Sequence, residues 1–127
     1  MALLMLDTHV VVWLYAGLVE KVPPRARQAL ETSSLSVSPM VLLELQYLYE
    51  IGRLNCAGDV VLADLRSRVG LNVESTPFEL VAAAALGLVW TRDPFDRLIA
   101  AHSLATQNPL LTADATMREH LPSAVWD

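Results

Sequence analysis

Short apolar runs recur along this chain, each closed by a polar residue and followed by a longer stretch of helical periodicity. Leu3 to Leu6 is the first such run and predicts a buried strand, with a helix opening at about Thr8. Pro23-Pro24 predicts the start of a helix running to about Thr32, and Leu35 to Val37 a second strand. Ser38 reads as an N-cap with Pro39 at the first helical position, opening a helix that stops near Gly52. Asp59 to Val69 predicts another helix and Leu71 to Val73 a third strand. Thr76-Pro77-Phe78-Glu79 has the form of a capping box with proline at N1 and launches a helix to about Leu86. Asp93-Pro94-Phe95-Asp96 repeats that design and launches a helix to about Thr106. Leu110 to Thr112 predicts a fourth strand, Ala115 to His120 a short helix, and Ala124 to Trp126 an edge strand. Strands alternating with helices define an α/β fold, here a mostly parallel central sheet of four to five strands with helices on both faces. No repeat, low-complexity tract or linker interrupts the pattern, so residues 1–127 read as one continuous domain.

Four acids break that pattern where charge is hardest to place. Asp7 separates the apolar run ending at Leu6 from Val10-Val11-Val12-Trp13-Leu14, and Glu44 interrupts Met40 to Leu45. Asp96 opens Leu98-Ile99-Ala100-Ala101, and Asp114 follows the run Pro109 to Thr112. An ionised carboxylate buried without a partner costs several kcal/mol, so such groups pair, protonate or bind metal. Basic neighbours do not suffice for all four, and a cluster of hard oxygen donors is what Mg²⁺ or Mn²⁺ requires. In an open parallel sheet, ligands bind beyond the carboxyl ends of the strands. Asp7 and Asp114 follow predicted strands, Glu44 lies in the second turn of a helix leaving one, and Asp96 lies in a first helical turn. All four are therefore expected to converge on one end of the sheet.

Each acid also has a plain structural reading. Asp96 reads equally as the acid favoured at N3 of a helix and as a ligand, and Asp93 reads first as the N-cap of the same helix. Glu79 occupies the N3 slot after Thr76-Pro77 and is assigned to capping alone. Glu44 is harder to explain that way, because its neighbours at three- and four-residue spacing are Met40, Val41, Tyr47 and Leu48. Asp7 and Asp114 can each cap the helix that follows. Thr8 and Thr112 either orient the carboxylates and a water or satisfy turn backbone. His9, His102 and His120 lack metal-ligand spacing and read as ordinary surface or half-buried histidines. Arg92 and Arg97 flank the Asp93–Asp96 segment, where either would contact phosphate or Arg97 would hold Asp93 or Asp96.

Composition changes the picture in three ways. The chain is 54% hydrophobic and only 18% charged, against roughly 25% charged in an average soluble domain, which leaves apolar surface for a partner or a second copy. Its longest apolar stretch, Leu80 to Trp90, falls short of the roughly 20 residues a membrane span needs, and no basic region precedes the first apolar run as in a secretory signal. Cys56 is the single cysteine, which excludes an internal disulfide and fits a reducing cytoplasm. The net charge of −5 runs against nucleic-acid binding unless the acids are metallated, when one Mg²⁺ brings it to −3 and two to −1. All nine basic residues except Lys21 are arginine, the better phosphate fork.

With these residues in view, the chain resembles the PIN-domain ribonucleases, especially the VapC-type toxins of bacterial toxin–antitoxin pairs. The resemblance runs nearly end to end. It rests on Leu4-Met5-Leu6-Asp7-Thr8-His9, on Ser36-Val37-Ser38-Pro39 through Leu43-Glu44-Leu45, and most of all on Trp90 through Asp93-Pro94-Phe95-Asp96-Arg97-Leu98-Ile99-Ala100-Ala101-His102. Pro109-Leu110-Leu111-Thr112-Ala113-Asp114 completes it. Each piece alone is weak, and the set in this order is specific.

The resemblance implies a metal-dependent endoribonuclease. Asp7, Glu44 and Asp96 become its three core acids, Asp114 a fourth that is variably used, and Thr8, Asp93, Arg97 and Thr112 supporting residues. One or two Mg²⁺ or Mn²⁺ ions would activate a water and stabilise the leaving oxygen, giving a 5′-phosphate and a 3′-hydroxyl. RNA as substrate, a homodimer, and a cognate antitoxin filling the active-site groove with an Arg against the acids are implied in the same way. The helix from Pro39 to Ile51, apolar nearly all round, gives a partner independent support. Two rivals of the same fold class fail on residues. A phosphoacceptor receiver domain needs a lysine near its last strand, and Lys21 lies far from it. A haloacid-dehalogenase-type phosphatase needs an aspartate two residues after Asp7, where His9 stands. A non-catalytic PIN module that only binds RNA or protein partners would be expected to lose core acids, and all are present.

Overall fold

A computed structural model describes residues 2–127. Five strands form one sheet: β1 (Leu3–Leu6), β2 (Ser34–Val37), β3 (Asn72–Val73), β4 (Leu110–Leu111) and β5 (Ala124–Val125). Seven helices join them: α1 (Thr8–Ala16), α2 (Pro24–Thr32), α3 (Pro39–Glu50), α4 (Gly58–Val69), α5 (Phe78–Ala85), α6 (Pro94–Thr106) and α7 (Ala115–His120). The strands lie in the order β3-β2-β1-β4-β5 and every pairing is parallel. Leu4, Met5 and Leu6 are all buried, as are Leu35, Ser36 and Val37, so the two central strands are covered on both faces. Strand order reverses beside β1, and this fixes where a site can form. After β1 the chain crosses to β2 and β3 on one side, then returns to β4 on the other. A crevice therefore opens between the carboxyl ends of β1 and β4.

The elements begin where the sequence pattern places them, with three local differences. Ser38 caps α3 through its hydroxyl, which accepts from the Met40 amide at 3.2 Å, with Pro39 at N1. Asp93 caps α6 in the same way. The expected capping box at Thr76, however, does not form. The Glu74 carboxylate accepts from both the Thr76 amide at 2.6 Å and its hydroxyl at 2.7 Å. With the Thr76 amide taken by Glu74, α5 starts at Phe78, Pro77 stands at its N-cap, and no side chain caps it. The second difference is at α4, which starts at Gly58 rather than Asp59 because Gly58 packs directly on α3. A Cβ there would lie 2.7 Å from the Leu42 carbonyl oxygen, a clash with backbone that only glycine avoids. The third is a short 3₁₀ turn, Val19–Lys21, which the apolar pattern gave no reason to expect.

His102 is not the surface or half-buried residue its spacing suggested. It is buried on α6, with Nε2 lacking any hydrogen bond and 3.6 Å from a Glu74 oxygen. Burial holds its pKa below the ordinary value, against the opposing pull of Glu74. Among the described residues no helix is long and apolar enough to cross a membrane.

Candidate active site

The crevice beside β1 holds the acids. Asp7 ends β1 and caps α1, so it is fixed by two elements at once. One carboxylate oxygen accepts from the Thr8 amide at 2.8 Å and the other from the Thr112 hydroxyl at 2.6 Å. The side chain is buried, with 3% of the residue exposed. Thr112 also accepts from the Asp114 amide at 3.0 Å, so one buried hydroxyl links the end of β1 to the loop after β4. Asp114 in turn caps α7, accepting from the Met117 amide at 2.9 Å.

Glu44 reaches the crevice from the second turn of α3, where Oε1 accepts from the Thr8 hydroxyl at 2.5 Å. Burial raises its pKa, the Thr8 hydrogen bond opposes the shift, and the charges of Asp7 and Asp93 add to it. Asp96 arrives from the first turn of α6. No hydrogen bond donor among the described residues serves its carboxylate, and its pKa is raised to about 7, first by burial and then by Asp7, Asp93, Glu44 and Asp114. That list of neighbours measures convergence: acids from four parts of the chain feel one another here.

A cavity of about 260 Å³ is lined by Asp7, Thr8, Glu44, Asp96 and Asp114, together with His9 and Arg53. Larger cavities exist, such as one of about 400 Å³ among Leu14, Leu30, Leu35 and Val69, but none gathers comparable charge. Chemistry, not size, singles out the acidic one.

The supporting residues divide. Thr8 and Thr112 hold carboxylates directly. Asp93 lies outside the cavity lining and caps α6 through bonds from Phe95 and Asp96 amides at 2.8 and 3.1 Å. Arg97 neither braces Asp93 or Asp96 nor offers itself to phosphate. Its guanidinium donates to the carbonyls of Ala85 at 2.9 Å and Leu86 at 3.4 Å, tying α6 to the end of α5. Its unsatisfied C-terminal carbonyls make that helix end the stronger attraction.

His9 enters the site against expectation. Its Nε2 accepts from the Ala113 amide at 2.8 Å, so in the neutral ring the proton sits on Nδ1, 3.6 Å from the Asp7 carboxylate. Trp13 and Trp126 pack beside the ring. The signal was available only as a position, two residues after Asp7 on the first turn of α1. Arg53 had no sequence signal at all.

The donor set suits a hard divalent cation: four carboxylates and no sulfur. No three His, Cys, Asp or Glu side chains among the described residues are disposed to grip an ion together. Asp7, Glu44 and Asp114 each turn an oxygen to a nearby N–H or O–H. The Asp96 carboxylate, partly buried among acids and served by no donor among the described residues, is the observation that fits a cation ligand.

A parallel five-stranded sheet with an acidic crevice at its switch point defines an α/β domain with a carboxylate-lined site. The PIN domain family model matches residues 4–120, and the chain belongs to that family. It is 32% identical to Ribonuclease VapC22 of Mycobacterium tuberculosis (strain ATCC 25618 / H37Rv), over 99% of this chain and 100% of that protein. Solved structures share the fold. VapBC2 from Rickettsia felis, bound to a DNA fragment from their promoter, superposes with a TM-score of 0.69 at 20% identity, covering 98% of this chain and 99% of that one. A toxin–antitoxin complex from Klebsiella pneumoniae gives 0.64 at 18% identity, covering 98% and 96%.

Proposed function

We propose that this chain is a divalent-metal-dependent endoribonuclease and the toxin of a toxin–antitoxin pair, with Asp7, Glu44, Asp96 and Asp114 as metal ligands. The convergence of four carboxylates on one cavity, with the Asp96 pKa raised to about 7 by burial and then by the other acids, carries the reading. Full-length similarity to a protein named a ribonuclease supports the substrate class.

Mg²⁺ or Mn²⁺, as one ion or two, supplies positive charge that acidifies water and stabilises the departing oxygen. The protein's own residues set the frame for it. Thr8 and Thr112 fix Asp7, Thr8 orients Glu44, and the Met117 amide orients Asp114. Asp96 is the mobile member in proton terms, since it must release its proton before serving as a ligand. Hydrolysis forms a bond from water oxygen to phosphorus and breaks the bond from phosphorus to the 3′-oxygen. The water proton passes to a carboxylate and the 3′-oxygen takes up a proton, leaving a 5′-phosphate and a 3′-hydroxyl.

The partner reading follows the same line. An antitoxin segment occupying the acidic crevice is supported by structural neighbours that are toxin–antitoxin complexes. A homodimer is supported by exposed apolar side chains, Leu43, Tyr47 and Ile51 on and just after α3, and Phe78, Leu80 and Leu86 on and just after α5. The cytoplasm is the compartment that this role and the lone Cys56 fit.

Purified, partner-free protein incubated with total RNA tests the reading, with Mg²⁺, with Mn²⁺ and with chelator, beside an Asp7→Asn/Asp96→Asn double variant. Discrete metal-dependent fragments that vanish in the variant are expected. A folded protein that cuts nothing with either metal leaves a binding module as the better account.

A further inference from the structure

We infer that Arg53 is a phosphate clamp, engaging the RNA backbone beside the bond that is cut. The inference rests on the ribonuclease reading for its substrate, but its observations are separate. Among the described residues, Arg53 is the one Lys or Arg lining the acidic cavity. Its backbone is held there: just after α3, Gly52 sits at φ 81°, and the chain doubles back so that the Arg53 amide donates to the Leu48 carbonyl at 2.8 Å. Leu48 is one helical turn beyond Glu44, so the Arg53 backbone stays close to the acids. Its guanidinium is engaged by no hydrogen bond or ion pair among the described residues, although four carboxylates line the same cavity.

Four of the other eight basic side chains are committed elsewhere. Arg68 pairs with Asp64, Arg118 with Asp127, Arg97 with the end of α5, and Lys21 lies over Trp13. A chain with net charge −5 must still draw a polyanion to its most acidic point. Bound cations offset the carboxylates but do not grip the flanking phosphates. A free arginine at the rim does, by two parallel hydrogen bonds to phosphate oxygens.

Two measurements on wild type, Arg53→Ala and Arg53→Lys test the clamp. The first is binding of a fluorescein-labelled mixed-sequence single-stranded RNA in Ca²⁺, titrated with salt. The second is kcat and KM for metal-dependent cleavage, with Mn²⁺ affinity measured alongside. Arg53→Ala should weaken RNA binding and raise KM about tenfold, and flatten the log–log salt slope by about 0.7, the share of one phosphate contact on a single strand. Mn²⁺ affinity should not fall, and Arg53→Lys should restore binding in part. An unchanged salt slope and KM overturns the clamp, as does a loss of RNA binding that merely tracks a loss of Mn²⁺ affinity. An Arg53-dependent slope without cleavage by wild type would sink the nuclease reading and leave the clamp standing. Neither binding nor cleavage would remove both.

Discussion

Asp96 and His9 show how differently two residues of one site can be read. Spacing left Asp96 open between cap and ligand until the family resemblance favoured the ligand, and its decisive property, a pKa of about 7, comes first from burial and then from the acids the fold gathers round it. A divalent cation must displace the proton that Asp96 carries below that pH. Mn²⁺ affinity should therefore fall about tenfold per pH unit below 7 and level off above it. Titration of Mn²⁺ binding between pH 5.5 and 8.5 checks this, and a flat profile would remove Asp96 from the ligand set. His9 could not be read from spacing, because its partner, the Ala113 amide, is far along the chain. The ring ties the loop before Asp114 to the neighbourhood of Asp7, so it acts on the proposed ligands by holding them. His9→Ala should lower kcat/KM about 10- to 100-fold, the usual range for residues that orient metal ligands. His9→Gln, which keeps an acceptor for the Ala113 amide, should recover much of the loss. Equal defects in the two variants would contradict a positioning role.

The elements were legible to the extent that their signals were local. Leu3 to Leu6, Ser38-Pro39 and Asp93-Pro94 carry their instructions within a few residues, and the strands and helices they begin stand where expected. Signals that depend on a distant partner were not legible. Thr76 has the right spacing for a capping box, but Glu74 captures both of its donors first. Glu74 itself faces His102 across the fold, and that contact makes the joint between β3 and α6 sensitive to acid. Burial holds the His102 pKa below its ordinary 6.5, so the folded state resists a proton that the unfolded chain accepts. Stability contributed by the neutral ring is thus fully present above pH 6.5 and falls as pH drops beneath it. Glu74, whose pKa is lowered from 4.5 chiefly by the Thr76 hydroxyl, adds a second loss only at still lower pH. Thermal melts from pH 7.5 to 5 should therefore decline more steeply for wild type than for His102→Gln. The slopes decide the point whatever the starting Tm of the variant, and parallel slopes would show that His102 does not titrate with unfolding.

At the scale of the whole molecule, stability and chemistry pull against each other through the acids. Without metal, folding brings Asp7, Glu44, Asp96 and Asp114 to one cavity, and the raised pKa values of Glu44 and Asp96 record the cost of burying carboxylates and then of crowding them. Asp96→Asn relieves part of it while keeping the shape of the side chain. Asp96 is only partly buried, so the gain must be discounted for screening to about 1–2 kcal/mol, roughly 5 °C in Tm. Cation binding reverses the order. An ion that binds only the folded chain, present at about 100 times its Kd, adds about 2.7 kcal/mol, or roughly 10 °C. The variant, with a neutral amide in place of a ligand, gains far less. Two melting curves for each protein at pH 8, one with chelator and one with Mn²⁺, should therefore cross over: Asp96→Asn more stable without metal, wild type more stable with it. A variant that is less stable than wild type in both conditions would mean that the cluster is a structural network and not a site kept under strain for a cation. The crossover requires neither RNA nor an antitoxin, so it separates metal binding by these acids from every later question about what the bound metal is used to cut.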